Sequence, residues 1–266
     1  MTDYQVVEMA AEPFLDSALL RFPHLMSVPG FAHVVTTRPW NMAPHRGPQK
    51  ELAIDRRRKI CGHIGLPFDR LTAADQIHSA HVLRIEPSDV GAGRETRESA
   101  MRFTDGLVCD LPGVAVMQFS ADCPLIVLVD PGRRVLGTAH ASWRGTVAGI
   151  ATELVRQMRK EFGVAPAELV GGLCPCAGPV EYEVGDDVRR IAESRLGDVG
   201  RYFPSRGGRI YFDMRAANAA QLVEAGLKAA NIHVASASTM SDERFFSHRR
   251  DGADTGRFAL IAGFRE

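Results

Sequence analysis

Net charge, cysteine, aromatic residues and long apolar runs are all scarce in this chain, and each shortage excludes something. Its 266 residues carry 32 basic and 32 acidic side chains, so no electrostatic footprint for nucleic acid or an anionic membrane stands out. No apolar segment reaches the roughly 18 residues that a membrane-spanning helix needs. Met1-Thr2-Asp3-Tyr4 also lacks the basic-then-apolar order of a secretion signal. The five cysteines are an odd number, scattered along the chain; they do not look like a disulfide framework and fit a reducing compartment. The expectation is a cytoplasmic protein with neither a nucleic-acid nor a membrane partner. Oligomeric state is not written in any of these features.

What is present is a mixture of strand and helix patterns. The stretch to about Pro48 reads as irregular, with one strand candidate at Phe31 to Thr37. A helix follows from about Ala53 to Ile64, stopped at Gly65 with Pro67 beyond it. Its basic run, Arg56-Arg57-Arg58-Lys59, reads as a solvated face. Strands are expected at His81 to Ile85, Gly106 to Val108, Val114 to Phe119, Leu125 to Val129 and Arg134 to Thr138, and Glu86 to Phe103 as an exposed loop. The run Leu125-Ile126-Val127-Leu128-Val129 is apolar on both faces, as a central covered strand is.

The C-terminal half interleaves both element types. Helices are expected from Thr146 to Lys160, from Asp186 to Leu196 with a stop at Gly197, and from Asp213 to Ala225 with Asp213 as N-cap. Strands are expected at Leu169 to Gly172, Arg209 to Phe212, Ile232 to Ser236 and Phe258 to Ala262. Without a regular βαβ repeat, this pattern predicts a single α/β sandwich with mixed β-sheets. No linker or internal repeat divides it.

Three side chains carry the chemistry. Cys123 in Ala121-Asp122-Cys123-Pro124 and His140 in Ala139-His140-Ala141-Ser142-Trp143-Arg144-Gly145 follow or end neighbouring apolar strands, and His78 lies upstream in Gln76-Ile77-His78. Two imidazoles and a thiolate with an open fourth position are a usual catalytic zinc set. A metal-free reading makes Cys123 a nucleophile and His140 its base, as in a thiol hydrolase or deamidase. Copper oxidation is the weaker reading, because multicopper centres call for many histidines and the nine present include no His-x-His pair.

Six segments resemble one family in its own order. They are Gln76-Ile77-His78, Thr104 to Val108, Ala121 to Pro124, Ala139 to Gly145, Cys174 to Gly185, and Phe245 to Gly252 with Thr255-Gly256-Arg257. The chain resembles the bacterial laccase-domain proteins, or multicopper polyphenol oxidases, a family also described as zinc-containing purine nucleoside phosphorylases and as peptidoglycan editing factors. The resemblance implies one domain over residues 1–266, divergent over residues 1–70, with zinc on His78, Cys123 and His140. It also implies phosphorolysis of adenosine, inosine, guanosine or methylthioadenosine, and adenosine deamination as a second activity. Arg38 to Ala43 replaces the family's glycine-rich N-terminal loop. Ser79, Ser142, Val180-Glu181 and His248 are further departures, and they motivate a non-enzymatic scaffold or a peptidoglycan-precursor editing role as alternatives.

Phosphorolysis needs an anion site. Arg144, beside the expected amino end of the Thr146 helix, offers one, and Arg249 and Arg250 add fork-shaped donors. Asp122 is placed to orient a ligand or accept a proton, Trp143 to stack on a base, and Gln76 to contact substrate. For Asp122 the competing role is a strand-end cap, for Trp143 packing on the sheet, and for each arginine a structural ion pair.

Overall fold

The computed structural model describes residues 4–43, 50–196 and 199–266. In chain order its strands and helices are β1 (Gln5–Val7), β2 (Ala10–Phe14), β3 (Ser17–Arg21), α1 (Pro23–Met26), β4 (Phe31–Thr36), α2 (Lys50–His63), β5 (Leu71–Ala73) and β6 (Val82–Arg84). Next come β7 (Gly106–Cys109), β8 (Ala115–Ser120), β9 (Leu125–Asp130), β10 (Val135–His140), α3 (Trp143–Val147), α4 (Ile150–Phe162) and β11 (Val170–Leu173). The chain continues with β12 (Glu183–Val184), α5 (Asp186–Leu196), β13 (Ser205–Arg206), β14 (Arg209–Tyr211), α6 (Met214–Glu224), β15 (Ile232–Ala235), α7 (His248–Asp251) and β16 (Phe258–Phe264).

Two mixed sheets face each other. One has seven strands in the order β1-β15-β11-β9-β10-β7-β6, the other six in the order β2-β3-β4-β16-β8-β5, and a small sheet β12-β14-β13 stands apart. Alternation along the strands explains the layering. In β9, Leu125, Val127 and Val129 join Phe258, Leu260 and Ala262 of β16 in one apolar cluster between the sheets. The other face of β9, Ile126 and Leu128, packs with Leu154 and Met158 of α4. The other face of β16, Ala259 and Ile261, packs with Ile60, Cys61 and Ile64 of α2. Helices therefore cover the outer faces of a two-sheet sandwich, and the fully apolar run in β9 is buried on both sides. The expected single-domain α/β sandwich with mixed sheets is the observed architecture.

Four local expectations are corrected. The N-terminal stretch is not irregular: β2 pairs with β3 and β3 with β4, while β1 joins the other sheet beside β15. The strands are short, β1 and β2 are edges, and β2 carries Glu12 and Pro13, so their alternation is weak. The Arg56 to Lys59 run is not a uniformly solvated face, because Arg57 is 1% exposed. The helix expected from Thr146 is two helices, split where Gly149 takes φ +84°. The segment Glu86 to Phe103 is only partly exposed, since Ala100 and Met101 are buried. Gly197, the expected stop of α5, lies outside the described residues, as do positions 44–49 at the end of the N-terminal stretch.

Candidate metal centre and its cavity

The chain crosses between the sheets twice at the same end of the sandwich, from β5 to β6 and from β8 to β9. The first crossing carries His78, the second Cys123, and β10 ends on His140. Their ligand atoms lie within 4.8 Å of one another, and among the described residues this is the one group of three or more such side chains placed to hold a metal ion. Bonds of about 2.0–2.3 Å to one ion keep ligand atoms within roughly 4.6 Å, close enough to the observed spread that small side-chain shifts would bring the donor set onto a single metal.

Asp105, at the entrance to β7, organises the group. Its buried carboxylate accepts from Nδ1 of His140 at 2.9 Å, from the backbone N–H groups of Ile77, His78 and Ser79, and from the Ser79 hydroxyl. That pairing fixes the imidazole tautomer and turns Nε2 of His140 toward the cluster. Burial resists ionisation of Asp105, yet the His140 and Ser79 contacts hold its pKa below the usual carboxylate value. Burial likewise disfavours the His140 cation, but the Cys123 thiolate and Asp105 together raise its pKa to about 9. Burial and the neighbouring His140 lower that of His78. Sequence reasoning quoted the Thr104 to Val108 segment and missed this role; a carboxylate at the head of an apolar strand was the available signal.

The backbone around the ligands is strained. Gln76, His78 and Asp122 take φ of +53°, +65° and +98°, a region that side chains with a Cβ rarely occupy. Each is pinned. The Gln76 amide donates to the Phe119 carbonyl and accepts the Phe119 N–H, both at 2.8 Å. Asp122 accepts from the Thr239 hydroxyl at 2.7 Å and from the Arg249 N–H at 2.8 Å.

The cluster opens into a cavity of about 700 Å³. Gln76, Asp122, Trp143, Arg144 and Arg249 line it with the three ligands, whereas Arg250 does not. The Arg250 guanidinium instead bonds to Asp251 and to the carbonyls of Thr239 and Phe245. Arg144 lies over the Trp143 ring at 4.3 Å and Arg249 over the Tyr182 ring at 4.7 Å. The amino end of α3 is already used, because the Ser142 hydroxyl accepts the Gly145 N–H. Gly145 itself is required, since a Cβ there would lie 2.8 Å from the Ser79 carbonyl oxygen.

Five arginines line the cavity, at 57, 97, 144, 249 and 257, against the two carboxylates Asp75 and Asp122. Arg57 is a buried cation: it donates to the carbonyls of Met42, Gly93 and Arg94 and lies over the Phe119 ring. Burial pushes its pKa down to about 9, so it stays charged at neutral pH.

Comparison with known proteins places this geometry. Residues 32–265 match the family described as multi-copper polyphenol oxidoreductase laccase. The chain belongs to that family. It is 33% identical to purine nucleoside phosphorylase YlmD of Geobacillus stearothermophilus over 85% of this chain and 84% of the relative. It is also 33% identical to adenosine deaminase RL5 of an unknown prokaryotic organism, over 82% of this chain and 84% of the relative. The crystal structure of YlmD from Geobacillus stearothermophilus superposes with a TM-score of 0.88 at 30% identity, covering 96% of this chain and 99% of that one. No helix among the described residues is long and apolar enough to cross a membrane.

Proposed function

We propose that the protein is a zinc-dependent purine nucleoside phosphorylase of the cytoplasm, converting a nucleoside and phosphate to a free purine and ribose 1-phosphate. The observation that carries this reading is the His78, Cys123 and His140 cluster opening into a cavity with five arginines and two carboxylates. Relatives bearing the phosphorylase name support it. Two nitrogens and one sulfur with an open fourth position suit zinc. A multicopper centre needs further histidine clusters, and none stands beside this one among the described residues.

In the reaction the bond from the sugar to the purine breaks with its electron pair going to the base, a phosphate oxygen forms the new bond to the sugar, and the base gains a proton. His78, Cys123 and His140 would hold the zinc, which when bound would supply Lewis acidity. Arg144 and Arg249 present fork-shaped donors to phosphate. Their rings, Trp143 and Tyr182, fix where those guanidinium groups lie. Asp122 holds the Arg249 backbone in place, and Gln76 pins the loop that presents His78. Arg250 orders the same segment from outside the cavity through its carbonyl contacts.

A second reading, adenosine deamination, has its support in the relative named for that activity. Product analysis separates the two. Zinc-loaded protein with adenosine and phosphate is expected to release adenine and ribose 1-phosphate, dependent on phosphate and abolished by chelator. Inosine formed without phosphate would replace phosphorolysis by deamination. Inactivation by iodoacetamide with indifference to chelator would establish the Cys123 nucleophile instead.

A further inference from the structure

One ion pair in the cavity is not used by the metal cluster or by the arginines beside it. The Asp75 side chain is only 11% exposed and accepts from Nε of Arg97 through one carboxylate oxygen. Among the described residues no donor reaches its second oxygen, and no acceptor takes the terminal Arg97 nitrogens. Asp122, the other carboxylate in the lining, has both oxygens bonded to protein donors. Among the described residues Asp75 therefore offers the one carboxylate oxygen lining this cavity that has no protein donor, with guanidinium donors at its side.

The pair stands on a firm frame among apolar walls. The Asp75 N–H bonds to the Met101 carbonyl at 2.9 Å and the Gln76 N–H to the Thr104 carbonyl at 3.0 Å. The Gln76 amide fixes the next step of the chain against Phe119. Ala73, Ala74 and Ala100 line the cavity nearby in sequence or by bridge pairing, and Phe119 lines it beside the Gln76 amide. Apolar walls with a polar acceptor–donor pair suit a flat heterocycle that has apolar faces and a polar edge.

We propose that Asp75 and Arg97 recognise the six-position edge of the purine base, an assignment that rests on the nucleoside reading above. Hypoxanthine presents an N1–H to the carboxylate and O6 to the guanidinium. Adenine presents its N6–H to the carboxylate and N1 to the guanidinium. The pair thus offers a partner to either base, in two different orientations of the base, while a purine with hydrogen at position six has no donor for the carboxylate and keeps only N1 toward the guanidinium.

The test pairs residue and substrate changes in the zinc-loaded full-length protein. Steady-state kcat/KM with phosphate is measured for adenosine, inosine and unsubstituted purine riboside in wild type, Asp75→Leu and Asp75→Asn, with metal content recorded for each. Losing a charge-assisted contact is expected to lower kcat/KM for inosine and adenosine about tenfold to a hundredfold in Asp75→Leu. Purine riboside is expected to lose less than about threefold, with bound metal unchanged. Asp75→Asn keeps the side-chain volume and an acceptor for Arg97 but turns an amide donor toward the base, so it carries the test, with the same substrate pattern expected, should Asp75→Leu not fold. Equal losses for all three substrates, or none, would overturn the assignment and leave the phosphorylase reading intact. A wild type that neither turns over nor binds any of the three would overturn both.

Discussion

Asp105 and His140 meet at 2.9 Å in a buried contact, and the same carboxylate gathers the backbone of the loop that carries His78. One acidic group thereby sets the orientation of two candidate metal ligands that lie far apart in sequence. Asp105→Asn keeps the volume but removes the charge and replaces an acceptor with a donor. Metal affinity is expected to fall about 10–100-fold, read by competition against a chelator of known affinity. An unchanged affinity would mean that the three ligands hold their positions without Asp105.

Cys123→Ala removes the sulfur donor while His78 and His140 stay. Elemental analysis after purification without added metal is expected to give about one zinc per wild-type chain and far less in the variant, since structural and catalytic zinc are held by three or four ligands. Phosphorolysis should disappear with it. A Cys123→Ala protein that retains its full complement of metal would show that the thiolate is not a ligand.

Strand β9 and helix α2 were legible because their physics is local. An uninterrupted apolar run marks a strand covered on both faces, and a Gly–Pro stop marks a helix end. The meeting of His78, Cys123 and His140 was legible because thiol and imidazole at strand exits are uncommon chemistry. The Asp105 hub was not, since its significance comes from donors on a loop more than 25 residues away in sequence, and nothing in the order of the chain announces that the two crossings share one end. The strands β1 to β3 were hidden by weak alternation. The split of the Thr146 helix turned on one left-handed glycine, Gly149, that the apolar spacing of its neighbours passes over.

Arg57 illustrates the same limit and gives a stability prediction. In sequence it is one of four consecutive basic residues; in the fold it joins the carbonyls of Met42, Gly93 and Arg94 across two loops of the cavity wall. Arg57→Met leaves those buried acceptors without their donors, which is expected to cost on the order of 3 kcal/mol in unfolding free energy. Arg57→Lys, able to reach fewer carbonyls, should fall between. Urea denaturation measures the series, and a loss below about 1 kcal/mol for the methionine variant would show that the carbonyls find other donors.

Acidification should weaken the fold through histidines outside the His78, Cys123 and His140 cluster. Burial and then Arg21 hold the His33 pKa down to about 3, while its Nε2 accepts the Phe22 N–H at 2.8 Å. Burial and the stacked ring of His233, 3.6 Å away, hold His24 down to about 4. Both imidazoles are neutral in the folded chain and bind protons near the ordinary histidine value of 6.5 when unfolded. The unfolded chain therefore holds more protons between these limits, and stability falls as pH drops from about 6.5 toward 4. From pH 6.5 to 5 each histidine accounts for at most about 2 kcal/mol. His33→Gln keeps an acceptor for Phe22 and cannot titrate, so its unfolding free energy should change less between pH 7 and pH 5 than that of wild type. Parallel pH profiles for the two proteins would assign the acid sensitivity to other groups.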